Sequence, residues 1–226
     1  MPAAPSTRTR VRRVPKRGAY DRATVDAILD EALVCHLAFA HDGHPFCIPT
    51  LHARVGDVVY VHGSAASRMI RTLEGGAPAC LTATLVDGLV LARSAFHHSM
   101  NYRSAEVLGT LRPVDDPAER TAALEAFTER LVPGRWAEVR PPSAKELKAT
   151  HVLALPIEEA SAKVRAGGPV DDDEDLALPV WAGVVPLELT AGPLEPDLEH
   201  PPGAEPGGHV TAWSPAARRA APPAAR

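Results

Sequence analysis

The sequence predicts a mainly β protein with helical insertions, built as an antiparallel barrel. Six short runs rich in β-branched residues follow one another between residues 34 and 113. Glycine-containing turn signals separate several of them, including HDGH at 41–44 and VDG at 86–88. Short strands in series, joined by tight turns, are typical of a barrel or a sandwich. The predicted strands are 34–40, 46–52, 58–62, 79–86, 89–94 and 106–113.

Helical patterns precede and interrupt these strands. Apolar residues recur at helical spacing from Val25 to Leu33, and Asp21 stands where an N-cap is expected. Two further helices are predicted at 65–73 and 117–132. The helices therefore decorate a β framework rather than alternate with its strands.

The remainder of the folded region is less regular. A long strand is predicted at 152–165, broken near Pro156, and a last strand at 180–189. Between them, the acidic run DDDED at 171–175 is predicted to be an exposed loop, because five adjacent carboxylates repel one another and are readily solvated.

The composition favours a soluble protein of a reducing compartment. The chain has 226 residues, with 24 Lys and Arg against 28 Asp and Glu and a formal net charge of −4, which gives no reason to expect nucleic acid as a partner. Its three cysteines form no C-x-x-C pair, so neither a disulfide framework nor a metal site is predicted. No apolar run approaches the ~20 residues of a membrane helix, and no secretory signal is recognisable. We expect a cytoplasmic protein without membrane contact.

Three regions are predicted along the chain. Residues 1–18 form a basic flexible arm with six Lys and Arg, and residues 19–190 form one folded domain. Residues 191–226 form a tail rich in Pro and Ala, predicted to be disordered because it lacks a periodic apolar face. Eight of the 23 prolines fall between residues 190 and 226, which explains the high proline content without a second domain.

A candidate anion cradle lies where the strand at 58–62 meets the following helix. Gly63 permits close approach of the backbone, Ser64 and Ser67 supply hydroxyls, and Arg68 supplies a guanidinium suited to phosphate. The alternative is a serine-capped helix with Arg68 and Arg71 in solvent. Neither a P-loop nor a Rossmann glycine motif is present, so nucleoside triphosphate and dinucleotide sites of those types are not predicted.

Four segments together resemble a known superfamily: HPFCIPTL at 44–51, VYVHGSAASRM at 59–69, NYRSAEVLG at 101–109 and WAGVVPL at 181–187. Their order and spacing resemble the pyridoxamine 5′-phosphate oxidase-like FMN-binding split-barrel superfamily, in its flavin-nucleotide-binding branch related to nitroimidazole resistance. The resemblance covers about residues 10–190. It implies a six-stranded antiparallel split β-barrel, FMN as cofactor, and a homodimer with the flavin at the interface.

The resemblance also implies a set of cofactor-binding residues. Ile48, Pro49 and Thr50 would line the isoalloxazine ring. A Ser-Arg-Lys phosphate motif appears here as Ser67, Arg68 and Met69, so that methionine removes one phosphate cation. The cradle residues Gly63 and Ser64 complete the phosphate end.

Five further residues are candidates for the same site. Arg103 and Ser104 are expected to contact FMN, and Lys163 is placed to tune the charge near the ring. His62 is a candidate to face the flavin, and Trp181 to stack at its edge or pack beside it. For His62 the alternative is a hydrogen-bonded structural role, and for Lys163 it is simple solvation at the surface.

The functional expectation is an FMN-dependent oxidoreductase that passes hydride or electrons to a small organic molecule, with a nicotinamide donor as one option. True pyridoxamine phosphate oxidation is not predicted, because that enzyme's C-terminal Arg and His motif is missing after Trp181. The alternative is a non-catalytic split barrel that binds flavin, deazaflavin or haem. Haem is kept open by the adjacent pair His97 and His98. A third option is a partner-binding module that uses the terminal arms.

Overall fold

The structure is a computed structural model that describes residues 3–197, 199 and 203–215. Over these residues it contains two β-sheets and five α-helices. The strands are β1 (Gly18–Ala19), β2 (Val34–His41), β3 (His44–Leu51), β4 (Ala53–Val55), β5 (Val58–Ser64), β6 (Pro78–Leu91), β7 (Ser99–Thr110), β8 (Arg112–Pro113), β9 (Thr150–Pro156), β10 (Glu159–Arg165) and β11 (Gly183–Pro186). The helices are α1 (Arg22–Glu31), α2 (Arg68–Glu74), α3 (Pro117–Leu131), α4 (Ala144–Ala149) and α5 (Gly208–Thr211).

Helix α1 begins and packs as its sequence predicts. The Asp21 side chain accepts a hydrogen bond from the backbone N–H of Thr24 at 2.9 Å, which satisfies one of the free donors of the first turn. Val25, Ile28 and Leu29 are buried on one face of the helix. That face packs against β6, β7 and β10.

The larger sheet has the order β1-β10-β7-β6-β2-β3, with β11 added to the far half of β6. Here the sequence prediction of two strands at 79–86 and 89–94 is wrong. β6 runs unbroken from Pro78 to Leu91, which covers the first predicted strand and the start of the second, and the VDG segment is an irregularity in the pairing between Val86 and Gly88. Glycine at position 88 allows β11 to approach closely, because a Cβ atom there would lie 3.0 Å from the backbone O of Val185 in β11.

The smaller sheet has the order β4-β5-β9-β8. The chain leaves it after β9 and enters the larger sheet as β10, so the predicted long strand divides near Pro156 as expected. One buried cluster fills the space between the sheets, α1 and α2, and a second lies between the smaller sheet and α3. The sheets do not close on each other, and the split-barrel prediction is confirmed.

The acidic run at 171–175 is exposed over residues 172–174, as predicted, but its first residue is not. The Asp171 side chain is only 1% exposed and binds Arg93, accepting from its backbone N–H at 2.8 Å and from Nη1 at 2.7 Å. His97 pairs with Asp172 through its Nε2 at 3.1 Å. These contacts hold the segment before β11 against the connection between β6 and β7. Charge patterning alone does not predict this structural role.

The N-terminal residues contact the domain in the structure. Thr9 is buried, Val11 donates its N–H to the Tyr20 hydroxyl at 2.9 Å, and Arg8 pairs with Glu159 of β10. The domain boundaries at 18 and 190, and the character of the arm and tail, remain predictions. Part of the tail lies outside the described residues. None of the helices described combines the length and apolar character needed to span a membrane.

Candidate functional site

Helix α2 begins at the cradle predicted from the sequence. Ser67 caps it, its hydroxyl accepting from the N–H of Ile70 at 3.2 Å, and the Ser67 N–H in turn donates to the Ser64 carbonyl at 2.9 Å. The hydroxyl of Ser64 accepts from the N–H of Ala66 at 3.3 Å. Both serine hydroxyls therefore retain their own proton for donation to a ligand.

Arg68, the first residue of α2, joins this turn to strand β3. Its guanidinium carbon lies 4.5 Å from the centroid of the Phe46 ring. Arg68 is exposed and forms no ion pair with any residue that the structure describes. A guanidinium stacked on an aromatic ring keeps the N–H groups at its edge available for a phosphate or carboxylate.

Strand β3 forms one end of the larger sheet and, among the strands that the structure describes, pairs with β2 alone. Phe46 and Ile48 pack against the buried cluster that lies between the two sheets. Thr50, two residues further along the strand, is half-buried on the same side. Pro49 projects to the opposite face and is exposed. Since proline lacks an N–H, an edge position is where it is tolerated in a strand.

We call the group formed by β3 and the junction between β5 and α2 the α2–β3 site. It consists of an apolar strand face beside hydroxyls and an unpaired cation, a combination suited to a ring with a phosphate-bearing chain. Its residues are Phe46, Ile48, Thr50, Ser64, Ser67 and Arg68.

Gly63 and Met69 support this site from beneath. A Cβ atom at Gly63 would lie 3.0 Å from Cγ1 of Ile70, so glycine here lets α2 pack closely on β5. Met69 is buried in the cluster that lies between the two sheets. The methionine at the expected lysine position therefore has a packing role that a lysine ammonium would not fill without a large desolvation cost.

His62 lies on the other face of β5 from Gly63, as alternation along a strand requires. Its ring centroid is 4.4 Å from that of Phe127 in α3, in an edge-to-face arrangement. Burial lowers the pKa of His62. The structure thus places His62 against α3 and away from the face of β5 that contacts α2.

Arg103 and Ser104 are adjacent in β7 and face opposite sides of the sheet. Arg103 binds two carboxylates: Nη1 lies 2.5 Å from Glu31, and Nη2 lies 2.7 Å from Asp87. Hydrogen bonds to Glu31 and then Asp87 raise the pKa of Arg103. With both ends of its guanidinium occupied, Arg103 links α1 to β6 instead of offering a free cation.

Lys163 and Trp181 also lie apart from the α2–β3 site within one chain. Lys163 stands opposite Ser104 in register on β10, and three strands separate β10 from β3. Trp181 is 65% exposed and folds over Gly183, where a Cβ atom would lie 2.8 Å from its ring. The structure therefore brings together Ile48, Thr50, Ser64, Ser67 and Arg68. Pro49 and His62 face away from this group, and Arg103, Ser104, Lys163 and Trp181 lie on other strands or loops.

The adjacent histidines differ in their contacts. Nδ1 of His98 lies 2.9 Å from the Ser94 carbonyl oxygen, which can only accept, so in the neutral ring Nδ1 carries the proton and Nε2 carries the lone pair. His97 instead uses Nε2 for its contact with Asp172. Near His98, an apolar row crosses three strands in register, formed by Val185, Leu89 and Met100. These three side chains are 40%, 42% and 46% exposed.

Sequence reasoning missed several residues that organise these sites. Phe46 lies two positions before Ile48, the first of the predicted ring-binding residues, and this alternation along the strand is the signal that would have included it. Along the chain, Arg103 is 72 positions from Glu31 and 16 positions from Asp87, so no local sequence pattern predicts these ion pairs.

Comparison with known proteins agrees with this fold. Residues 21–164 match the sequence profile of the family described as pyridoxamine 5′-phosphate oxidase, and the chain belongs to this family. A search of the curated proteins gave no match.

Three solved structures illustrate the similarity. The flavocytochrome Anf3 from Azotobacter vinelandii is 44% identical, with 93% of this chain and 98% of that chain covered and a TM-score of 0.88. An FAD- and haem-binding protein from Mycobacterium smegmatis is 40% identical, with coverage of 88% and 97% and a TM-score of 0.84. A protein of the 5-nitroimidazole antibiotic resistance type from Bacteroides thetaiotaomicron, at 21% identity, 65% and 86% coverage and a TM-score of 0.56, shares the fold.

Proposed function

We propose that this protein binds a flavin nucleotide at the α2–β3 site and functions as an oxidoreductase. The observation that carries the proposal is the placement of Arg68 on Phe46, which unites a free guanidinium with the apolar strand face. The family is named for an oxidase of a 5′-phosphate compound, and the two relatives of highest identity given above are described as a flavocytochrome and as an FAD- and haem-binding protein.

Each part of the site has a separate task. The flavin phosphate is bound through charge-assisted hydrogen bonds from Ser64, Ser67 and Arg68. Ile48 and Thr50 lie along the ring, with Phe46 fixing the guanidinium. The flavin supplies hydride and electron transfer when bound, so the protein needs no nucleophile of its own. Activity assays would identify the electron donor and the small-molecule acceptor. A nicotinamide nucleotide is one option for the donor.

The form of flavin proposed is FAD. The Mycobacterium smegmatis relative is described as binding FAD, and it matches this chain over 88% of its length. The FMN expected from the sequence shares the ring and the first phosphate with FAD, so the residues assigned to both are the same.

We further propose haem as a second bound group. One of the two relatives is described as a flavocytochrome and the other as an FAD- and haem-binding protein. The observation that favours it is His98, whose Nδ1 contact with Ser94 orients Nε2 as an iron ligand. Met100, two residues beyond His98, belongs to the exposed apolar row that a macrocycle would cover.

The same exposed surface supports a homodimer. The apolar row of Val185, Leu89 and Met100 continues toward the outer face of the larger sheet, where His36, Thr82 and Glu106 stand next to one another across β2, β6 and β7. An apolar strip bordered by polar groups is typical of a protein interface. Light scattering is expected to give the mass of two chains, and a mass of one chain would contradict the dimer.

The haem assignment is tested by a matched pair of variants. His98→Ala is expected to abolish the haem Soret band of the purified protein, whereas His97→Ala, one residue away, keeps it. Retention of the band in His98→Ala would place the iron ligand elsewhere. For the flavin, apoprotein is titrated with FAD, FMN and riboflavin while flavin fluorescence is followed, and phosphate-independent binding would contradict the role given to Arg68.

A further inference from the structure

The helix that carries Arg68 is tied to the larger sheet by a histidine that has no part in the site as described so far. Nδ1 of His41, the last residue of β2, lies 2.9 Å from the hydroxyl oxygen of Thr72 in α2, so the two are hydrogen-bonded. Thr72 follows Arg68 by four residues, which places both side chains on the same face of the helix, one turn apart. His41 therefore holds the helix face that presents the cation.

The same histidine contacts the ring on which the cation lies. The ring centroids of His41 and Phe46 are 6.3 Å apart and the ring planes meet at 63°, an edge-to-face arrangement. Phe39 stacks on Phe46 with 5.8 Å between centroids. His41 thus contacts both partners of the Arg68–Phe46 pair, the ring directly and the helix of the cation through Thr72.

A tight turn fixes the position of His41. Asp42 and Gly43 alone join β2 to β3, and both have positive φ, 50° and 76°. Positive φ at both central residues is typical of a type I′ turn, which sets the register of a hairpin. In this register Phe39 stands opposite Phe46, and His41 follows on the same face of β2. Nε2 of His41 lies 3.4 Å from a carboxylate oxygen of Asp42, so both ring nitrogens have a polar neighbour and the ring orientation is defined.

Thr72 uses its hydroxyl differently from a threonine of α3. Within a helix, a threonine hydroxyl commonly bonds the carbonyl four residues before it. Thr121 does so in α3, where it donates to the carbonyl of Pro117 at 2.9 Å. The Thr72 hydroxyl bonds His41 instead, and so ties α2 to β2.

A second histidine holds the other end of α2. Nδ1 of His151 in β9 lies 2.5 Å from a carboxylate oxygen of Glu74, the last residue of the helix. Glu74 follows Arg68 by six residues, so it lies on a different face of the helix. This contact anchors α2 away from the cation, which makes it a matched comparison for the contact of His41.

We propose that His41 is a positioning residue of the flavin site and that it gives the site its selectivity for phosphate-bearing flavins over riboflavin. The inference rests on the proposed flavin function. Through Thr72 and Phe46, His41 holds the exposed Arg68 guanidinium where the flavin phosphate is bound. Without His41, binding of the phosphate would have to order the arginine side chain first, at a cost in conformational entropy. The flavin ring, assigned to Ile48 and Thr50, would be affected far less.

The test is fluorescence titration of the apoprotein with FMN and with riboflavin. His41→Ala and Thr72→Val each remove the bond between β2 and α2, and each is expected to weaken FMN binding by about three- to tenfold, with a change of less than about twofold for riboflavin. The double variant should lose no more than His41→Ala, because both substitutions break the same bond. His41→Asn should recover most of the FMN affinity, since its amide can bond the Thr72 hydroxyl from the position of Nδ1.

The control is His151→Ala, which frees the other end of the same helix. It is expected to lower the stability to urea and to leave the ratio of FMN to riboflavin affinity unchanged. A measurement without flavin accompanies the titration. In the apoprotein, the NMR order parameter of the Arg68 Nε–H group is expected to fall in His41→Ala and to stay at the parent value in His151→Ala.

Three results would each overturn the proposal: unchanged FMN affinity in His41→Ala, equal losses for FMN and riboflavin, or the same loss of FMN affinity in His151→Ala. A parent protein that binds neither flavin would instead contradict the proposed function. In that case the order parameter of Arg68 still decides whether His41 positions the guanidinium.

Discussion

The Arg68 guanidinium lies over the ring of Phe46, with 4.5 Å between its central carbon and the ring centroid. At an exposed position such a contact stabilises the fold by only about 0.5–1 kcal/mol. Its value is geometric, because it holds an otherwise flexible arginine at the junction of α2 and β3. The sequence separates these two residues by 22 positions, yet the structure makes them neighbours in one site.

Arg68→Ala is expected to weaken FMN binding by about 1.5–3 kcal/mol, roughly ten- to a hundredfold, since a charge-assisted hydrogen bond to phosphate is lost. Riboflavin has no phosphate, so its affinity should change far less. Fluorescence titration of apoprotein measures both ligands, with Lys145→Ala as the control. Equal losses for FMN and riboflavin would show that Arg68 does not contact phosphate.

Arg103→Ala is expected to destabilise the fold and leave flavin binding nearly unchanged. The substitution leaves Glu31 and Asp87 without the guanidinium that links α1 to β6. We expect the free energy of unfolding to fall by about 1–3 kcal/mol, measured in urea. Loss of flavin affinity with unchanged stability would instead support the cofactor contact first expected of Arg103.

Gly63→Ala tests the close approach of α2 to β5. The added methyl would lie 3.0 Å from Ile70 Cγ1, so the helix must shift or Ile70 must change rotamer. A cost of about 1–3 kcal/mol is expected in urea unfolding, together with weaker flavin binding as Arg68 moves with the helix. Gly168→Ala is the control, because nothing lies within 4 Å of a Cβ atom at Gly168. Unchanged stability in Gly63→Ala would contradict the packing role.

His62 should make the protein less stable in mild acid. Burial lowers its folded-state pKa below its usual value of 6.5, so below that pH the unfolded chain binds more protons than the folded one. Stability then falls as the pH drops from 6.5 toward the folded-state pKa. His62→Gln should flatten this dependence, measured by urea unfolding between neutral pH and mild acid, whereas His44→Gln, at an exposed position, should not. The same slope in His62→Gln and the parent would contradict this origin.

The sequence was most informative where local rules decide the structure. The cap at Asp21, the apolar spacing of α1 and the break near Pro156 all follow from short-range chemistry, and the structure contains each of them. The VDG segment misled because a glycine in a strand signals either a turn or an irregularity, and only the arrival of β11 beside Gly88 decides between them.

Half of the candidate site followed from the sequence for a similar reason. Ser64, Ser67 and Arg68 lie within five residues, so one strand-to-helix junction brings them together. Residues on distant strands depend on partners that periodicity does not specify. Arg103 is the example, because the carboxylates that occupy it come from α1 and β6.

The most direct measurement of the central proposal is the identity of the flavin released when the purified full chain is denatured. Mass spectrometry of the supernatant, with the absorption spectrum of the intact protein, is expected to give a flavin nucleotide, FAD in our proposal, at one per chain. Release of FMN would correct the form of the cofactor and keep the site. A colourless protein that takes up neither FAD nor FMN at micromolar concentrations would contradict the account.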